Sequence, residues 1–313
     1  MAAHTRHWQL DRPLDLARTL GMLRRGPGDP TMRLTAGEVW RSSRTPEGPA
    51  TVRLRVVGTE LVTETWGPGA EWLSASVPAL VGESDDWSGL DLSAHPMLQR
   101  TRRLHPGVRL PRTGLVMDAL VPAVLEQRVT GTEAWRAWRS VVGAFGEPAP
   151  VPDSGSAPAE LRLRVAPSPE RLLEVPSWEW HRFGVDGQRY RTARAAATVA
   201  TRLEECVQLA AAGDLAAAHR RLRVVPGVGE WTAAETSLRA LGDADAVSVG
   251  DFHLKNLVGF ALTGAARTDD ETMVGLLETW RGQRARVVRL IELSGLRPPK
   301  YGPRFSPHDM RAM

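Results

Sequence analysis

The stretch from Leu222 to Asn256 limits this chain more than any other. Pro226-Gly227-Val228-Gly229 separates two helical patterns, Leu215–Val224 and Glu230–Leu241. Proline lacks an N–H and glycine tolerates left-handed backbone, so the four residues make a tight turn and not one long helix. A Gly-x-Gly turn at a helix N-terminus presents backbone N–H groups to an anion such as a DNA phosphate. One helix later, Asp251 follows Gly250 and opens another helical pattern, Asp251–Leu262. A carboxylate held at a fixed distance from a phosphate clamp can stabilise a cation formed on the adjoining sugar. Together these features point to chemistry at one nucleotide of a backbone-held DNA. Each also has a plainer reading: glycine is common at helix ends, and Asp is a good N-cap.

Composition narrows the class. The 313 residues allow two or so domains and a sizeable core. Hydrophobic content of 42% and charged content of 24% are those of a soluble globular protein. No apolar run is long enough to cross a bilayer, and the N-terminus has no apolar signal core, so a cytoplasmic location is expected. Cys206 is the only cysteine, which excludes an intramolecular disulfide. Net charge is +4 and the pI about 9.9, with lysine only at Lys255 and Lys300. Arginine suits phosphate contacts, although a GC-rich genome gives the same bias. The histidines show no ligand spacing, and no metal site is expected.

Three segments are read along the chain. Residues 1–92 form a small α+β domain. Glu38–Ser43, Thr51–Val57 and Leu61–Trp66 are antiparallel strands, with a short helix near Leu14–Leu20 and a covering helix over Ala70–Leu80. Residues 93–298 are helical, with helices from Leu115, over Glu133–Phe145, Arg189–Ala212, Asp269–Trp280 and Gln283–Leu293. A Pro/Ala/Ser loop at 147–160 interrupts them, and 299–313 reads as a loose tail.

The hairpin and Asp251, with Leu222, Trp231-Thr232-Ala233 and Arg239-Ala240-Leu241-Gly242, resemble the helix-hairpin-helix (HhH-GPD) DNA glycosylases of the 3-methyladenine glycosylase II type. Ala119–Val129 is similar to that family's first core helix, and Pro167–Leu173 to the helix start after its middle loop. The resemblance covers roughly residues 95–295, and more weakly an N-terminal TBP-like domain. It implies a monofunctional glycosylase that removes damaged, alkylated purines from duplex DNA in base excision repair, as a monomer.

The residue roles it implies are these. Asp251 is the catalytic carboxylate. Gly227, Val228 and Gly229 bind phosphate through the backbone, and Glu230 weakens that grip where relatives are basic or neutral. Trp231 occupies the position of the lysine nucleophile in bifunctional relatives, which argues against lyase chemistry. Trp231 and Phe252 wall the base pocket. Gln127 and Arg128 face the gap left by a flipped base. Lys255, one turn after Asp251, makes an i,i+4 pair or touches phosphate. Glu235 and Glu292 fall where relatives carry pocket aromatics; they either enter the pocket or pair with nearby arginines. No cofactor is expected, beyond a monovalent cation on the hairpin carbonyls. One cysteine cannot build the four-Cys cluster of some endonuclease III relatives. An oxidised-base glycosylase/lyase and a non-catalytic DNA-binding module are the alternatives.

Overall fold

A computed structural model describes residues 4–152 and 161–299. Most of the expected tail, and residues 153–160 of the expected loop, lie outside the described residues. The chain begins with strand β1 (His4–Gln9) and helix α1 (Leu16–Leu20), then β2 (Met32–Thr35), β3 (Glu38–Thr45), β4 (Gly48–Val57) and β5 (Glu60–Trp66). These strands form one antiparallel sheet in the order β1-β5-β4-β3-β2. The edge strands β1 and β2 were not read from sequence.

Alternation along β4 decides what the sheet packs against. Val52 and Leu54 face helix α2 (Ala70–Leu80), which contributes Leu73, Val77 and Leu80 to a common core. Arg53 and Arg55 face the other way and pair with Glu38 and Glu64. That second face is also covered, which the sequence did not lead us to expect. Trp40 and Trp66 stack at 5.4 Å and pack with Leu163 and Val165. Glu147–Pro148, expected as loop, is strand β6 and pairs with Arg164–Val165 (β7). Ser42 Oγ donates to Arg164 O at 2.7 Å, and Arg164 N to Pro30 O at 2.8 Å. The ribbon is thus fixed by the sheet, a non-local cause that no local pattern records.

The remaining helices are α3 (Pro96–Leu104), α4 (Val116–Leu125), α5 (Gly131–Phe145), α6 (Pro169–Glu174), α7 (Ser177–Arg182), α8 (Gly187–Thr198), α9 (Ala200–Glu204) and α10 (Cys206–Ala211). After them come α11 (Leu215–Arg223), α12 (Glu230–Ala240), α13 (Leu254–Thr263), α14 (Asp270–Leu277) and α15 (Arg284–Leu293). The single helix expected over Arg189–Ala212 is three. It turns at Val199 and at Glu205, and the turn has a purpose in packing. Glu204 leaves the helix face to accept from Val116 N and Met117 N at 2.9 Å each, capping α4. Burial raises the Glu204 carboxyl pKa, and those two N–H groups hold it back. Cys206, next along, is fully buried.

Two helical cores result. One gathers α4, α5, α8, α11 and α12 around Leu120, Val124, Trp138, Leu222 and Ala233. The other gathers α3, α13, α14 and α15 around Leu98, Val258, Leu277 and Leu290, and already includes Trp87. Buried ion pairs join the sheet to the first core. Arg25 Nη1 lies 2.9 Å from both oxygens of Glu126, and Arg41 is 3.3 Å from Asp118. Removing one member of a buried pair leaves an uncompensated charge. Arg25→Met should therefore cost about 3–5 kcal/mol in denaturant unfolding, and Arg25→Met/Glu126→Met should recover much of that loss.

Candidate active site

The turn between α11 and α12 is built from both sides of its sequence. Val225 and Val228 are buried in the first core, so the loop is pinned by its valines. Gly227 has φ +88, and a Cβ there would sit 2.0 Å from Thr192 Oγ1 on α8. Only glycine allows that approach. Gly229 differs: its φ is −90, it precedes α12 as N-cap, and a Cβ there would meet nothing within 4 Å. The space beside it is open.

The N–H groups divide accordingly. Val228 N donates to Val225 O at 3.0 Å, so Val228 is not one of the phosphate-facing donors expected from sequence. The N–H groups of Gly227 and Gly229 have no hydrogen-bond partner among the described residues, and the first turn of α12 leaves its own N–H groups unmatched inside the helix. These donors, with the helix dipole behind them, form an anion-binding concavity. The oxygens of Val225 and Gly227 each accept one hydrogen bond and keep a second lone pair. That donor set fits a monovalent cation, whose charge would reinforce the same attraction.

Gln127 holds the turn from α4. Its Nε2 donates to Gly227 O at 3.0 Å and to Thr232 Oγ1 at 2.8 Å. The amide is therefore engaged with the hairpin and does not face a duplex gap. Arg128, next to it, is exposed and has φ +56, alone among the described non-glycine residues in being left-handed. Such a backbone costs on the order of 1 kcal/mol and is held by its surroundings. Here those are Glu126, fixed by Arg25, and Gln127, fixed by the hairpin.

From the end of α12 the chain runs through a loop stapled by carboxylates. Asp243 Oδ2 accepts from Ser237 Oγ and lies 2.8 Å from His219 Nε2. Burial would raise its pKa, but His219, Ser237 and the Asp245 N–H hold it below the usual carboxylate range. Asp270 on α14 accepts from Gly250 N and Lys255 Nζ, each at 2.8 Å. The Lys255 amine thus pairs with Asp270 across two helices, not with Asp251 on its own; Asp251 is occupied otherwise. Asp251 Oδ1 accepts from His253 N and Leu254 N at 2.8 Å, starting α13 later than the expected Asp251, while Oδ2 is 3.3 Å from Trp231 Nε1. The carboxylate is both helix cap and cavity wall.

That cavity, about 310 Å³, lies between α12, the loop, α13 and α15. It is at the small end of the range for organic ligands. Asp251, Glu235, Ser248 and Arg239 line one part of it, and Glu292 and Arg289 line α15's side. Met22 and Leu110, from the first part of the chain, also contribute. Two residues expected in the wall are elsewhere. Trp231 braces Asp251 through its indole N–H and is not among the lining residues, and Phe252 is 64% exposed, edge-on to His253. The turn that lets Asp251 cap α13 points Phe252 outward.

Glu235 lines the cavity and also pairs with an arginine. Its Oε2 is 2.7 Å from Arg239 Nη1, and Oε1 accepts from Ser248 Oγ. Burial would raise its pKa, but Arg239, Ser248 and Arg25 hold the carboxyl below its ordinary value. Glu292 stands at the rim, 45% exposed, 2.9 Å from Arg289 Nη1. The i,i+4 spacing of Glu235 and Arg239 was a readable sign of that pair. Nothing local marked Ser248, Met22, Leu110 or Asp270.

Comparison with known proteins places the fold. No family model matches the chain. Over 164 residues, 52% of this chain, it is 34% identical to a Mycobacterium tuberculosis protein named "Probable bifunctional transcriptional activator/DNA repair enzyme AlkA", found in two strains; the match spans 31% of that relative's length. A 3-methyladenine DNA glycosylase from Archaeoglobus fulgidus superposes with TM-score 0.71 at 16% identity, over 92% of this chain and 97% of its own. The fold is that of the helix-hairpin-helix DNA glycosylases. The glycosylase fold extends to an 8-oxoguanine glycosylase/lyase from Clostridium acetobutylicum, TM-score 0.70 at 13% identity over 93% and 96% of the two chains. Similar scores for two activities mean that fold alone does not choose between them.

Two outcomes follow from the geometry. Gly227→Ala should lose about 2–4 kcal/mol in thermal unfolding, the sum of left-handed strain and overpacking against Thr192. The Glu235 carboxyl has a folded-state pKa below its unfolded one. Its contribution is therefore complete above the ordinary glutamate range and is lost as pH falls through the depressed value. The melting-temperature gap between wild type and Glu235→Gln should shrink on acidification from about pH 5 to pH 3.

Proposed function

We propose that the chain is a monofunctional DNA glycosylase that hydrolyses the N-glycosidic bond of damaged, alkylated purines in duplex DNA. The observation that carries this is the fixed Asp251 carboxylate in the wall of a base-sized cavity, on the chain that bears the phosphate-binding turn. Losing a base leaves an oxocarbenium-like sugar. Asp251 Oδ2 would face that charge, while Oδ1 remains bonded to His253 N and Leu254 N and so needs no reorganisation. The same carboxylate orients the attacking water. An alkylated purine already carries positive charge as it leaves, so a second, proton-donating carboxylate is dispensable. The turn at Gly227 and Gly229 and the first turn of α12 would hold phosphate without reading sequence, as a search for rare lesions requires. Arg128, projected by its left-handed backbone, would fill the gap behind an extruded base. Action as a monomer on DNA, in the cytoplasm, belongs to the same proposal.

The lyase reading has its support in the Clostridium neighbour, but lacks an amine here. Trp231 stands at the nucleophile position, and the Lys255 amine is tied to Asp270 at 2.8 Å. Borohydride should therefore trap no covalent adduct on lesion-containing duplex. A strong adduct lost in Lys255→Ala would reverse the assignment.

Asp251→Asn tests the central claim. Asn keeps an oxygen for the two N–H groups, so melting should change little, while release of base from methylated duplex should fall by a factor of ~100 or more. Release near the wild-type rate would remove Asp251 from the chemistry. Gly229→Val should fold normally, because nothing lies within 4 Å of a Cβ there. It should nevertheless bind every duplex sequence more weakly, with a shallower salt dependence. Unchanged binding would take the turn out of the interface.

A further inference from the structure

Among the described residues, three carboxylates line the cavity, and two of them are ion-paired. Glu235 lies 2.7 Å from Arg239 Nη1, and Glu292 lies 2.9 Å from Arg289 Nη1. Asp251 has no cationic partner among the described residues. It accepts only from the N–H groups of His253, Leu254 and Trp231.

The cation best placed to take it is the Lys255 amine. Asp251 accepts from the two N–H groups that open α13, as a helix cap does, and Lys255 follows it by four residues. Side chains at that spacing on a helix meet. Lys255 is also the only lysine among the described residues, with a flexible four-carbon stem in place of a rigid fork. The first turn of α13 is itself a poor place for a cation, because the helix dipole has its positive end there. The amine is settled by Asp270, whose Oδ2 accepts from it at 2.8 Å. Asp270 Oδ1 accepts from Gly250 N, also at 2.8 Å, immediately before Asp251. One carboxylate on α14 thus holds the backbone ahead of Asp251 and the charge behind it. Asp270 does not line the cavity, so it acts on the site only through these two partners.

Resting on the glycosylase reading above, we infer that Asp270 is a positioning residue that holds the Lys255 amine away from Asp251. The reason is electrostatic. A carboxylate paired with an ammonium is close to neutral and has less charge to set against a sugar cation. The same ammonium would repel that sugar and any base leaving with positive charge. Release of a cationic purine therefore depends on where this one amine rests. The Lys255 and Asp270 side chains are 27% and 29% exposed, and a pair so open to water adds little to stability. Its effect on the rate can thus be separated from its effect on the fold.

The test is base release from methylated duplex by the full chain under single-turnover conditions, with duplex binding and melting measured alongside. Asp270→Asn keeps an oxygen for Gly250 N and loses the charge that holds the amine. Its rate should fall about tenfold or more, with binding and melting little changed. Lys255→Met alone should stay within about twofold of wild type. Asp270→Asn/Lys255→Met should return to within about threefold of Lys255→Met, because no ammonium is left to reach Asp251. A merely structural role gives no such recovery, since a loop loosened by Asn stays loose when the lysine is removed. A wild-type rate in Asp270→Asn overturns the inference, and so does a double variant as slow as Asp270→Asn. Both results leave hydrolysis by Asp251 standing. No release by wild type removes the glycosylase reading and this inference with it.

Discussion

Arg239 is the contact on which the two halves of the molecule and the cavity between them depend. Its guanidinium leaves water, which is costly. Burial works against its charge, but Glu235, Glu126 and Glu292 more than offset it, so its pKa rises above the ordinary value. The residue then joins three places. It reaches the first part of the chain through Met22 O, fixes Glu235 in the cavity, and its own backbone oxygen accepts from Thr113 N at 3.1 Å, just ahead of α4. An arginine suits this work because its N–H groups diverge in one rigid plane.

The sheet domain takes part in the site by the same means. Arg25 grips Glu126 at the end of α4, and the next two residues are Gln127, which holds the hairpin, and the strained Arg128. The turn at 226–229 and the left-handed arginine thus rest on neighbouring polar contacts at the end of α4. Asp270 fixes the loop bearing Asp251 from the opposite side. Rigid support of this kind is what a site must have when a small displacement would weaken its electrostatics.

Local backbone chemistry was legible in the sequence; partnerships across the fold were not. The turn at 226–229 showed itself because Gly227 must be left-handed; the helix expected from Asp251 starts instead at Leu254, because the Asp251 carboxylate accepts from the N–H groups of His253 and Leu254. The central strands β3, β4 and β5 followed from alternation. The long helix expected over 189–212 failed because Glu204 is drawn to the end of α4, a partner 88 residues away. Phe252 left the cavity wall for a related reason: the cap at Asp251 sets its direction, and hydrophobicity does not. Lys255 found Asp270 on the next helix, and Gln127 found the hairpin 100 residues on. Glu235 could be noticed as an oddity in its pattern, but its meaning depends on Ser248 and Arg25, which only the folded chain brings near.

Cys206 has a chemical consequence of its own. It is the chain's only thiol, it is wholly enclosed, and burial beside Glu204 pushes its pKa up to about 11. At neutral pH almost none of it is thiolate, the form that attacks electrophiles. An agent able to methylate nucleic acid finds the softest nucleophile in this protein protonated and out of reach. This side chain is closed to such an agent, and a single cysteine leaves the chain no internal disulfide to reduce.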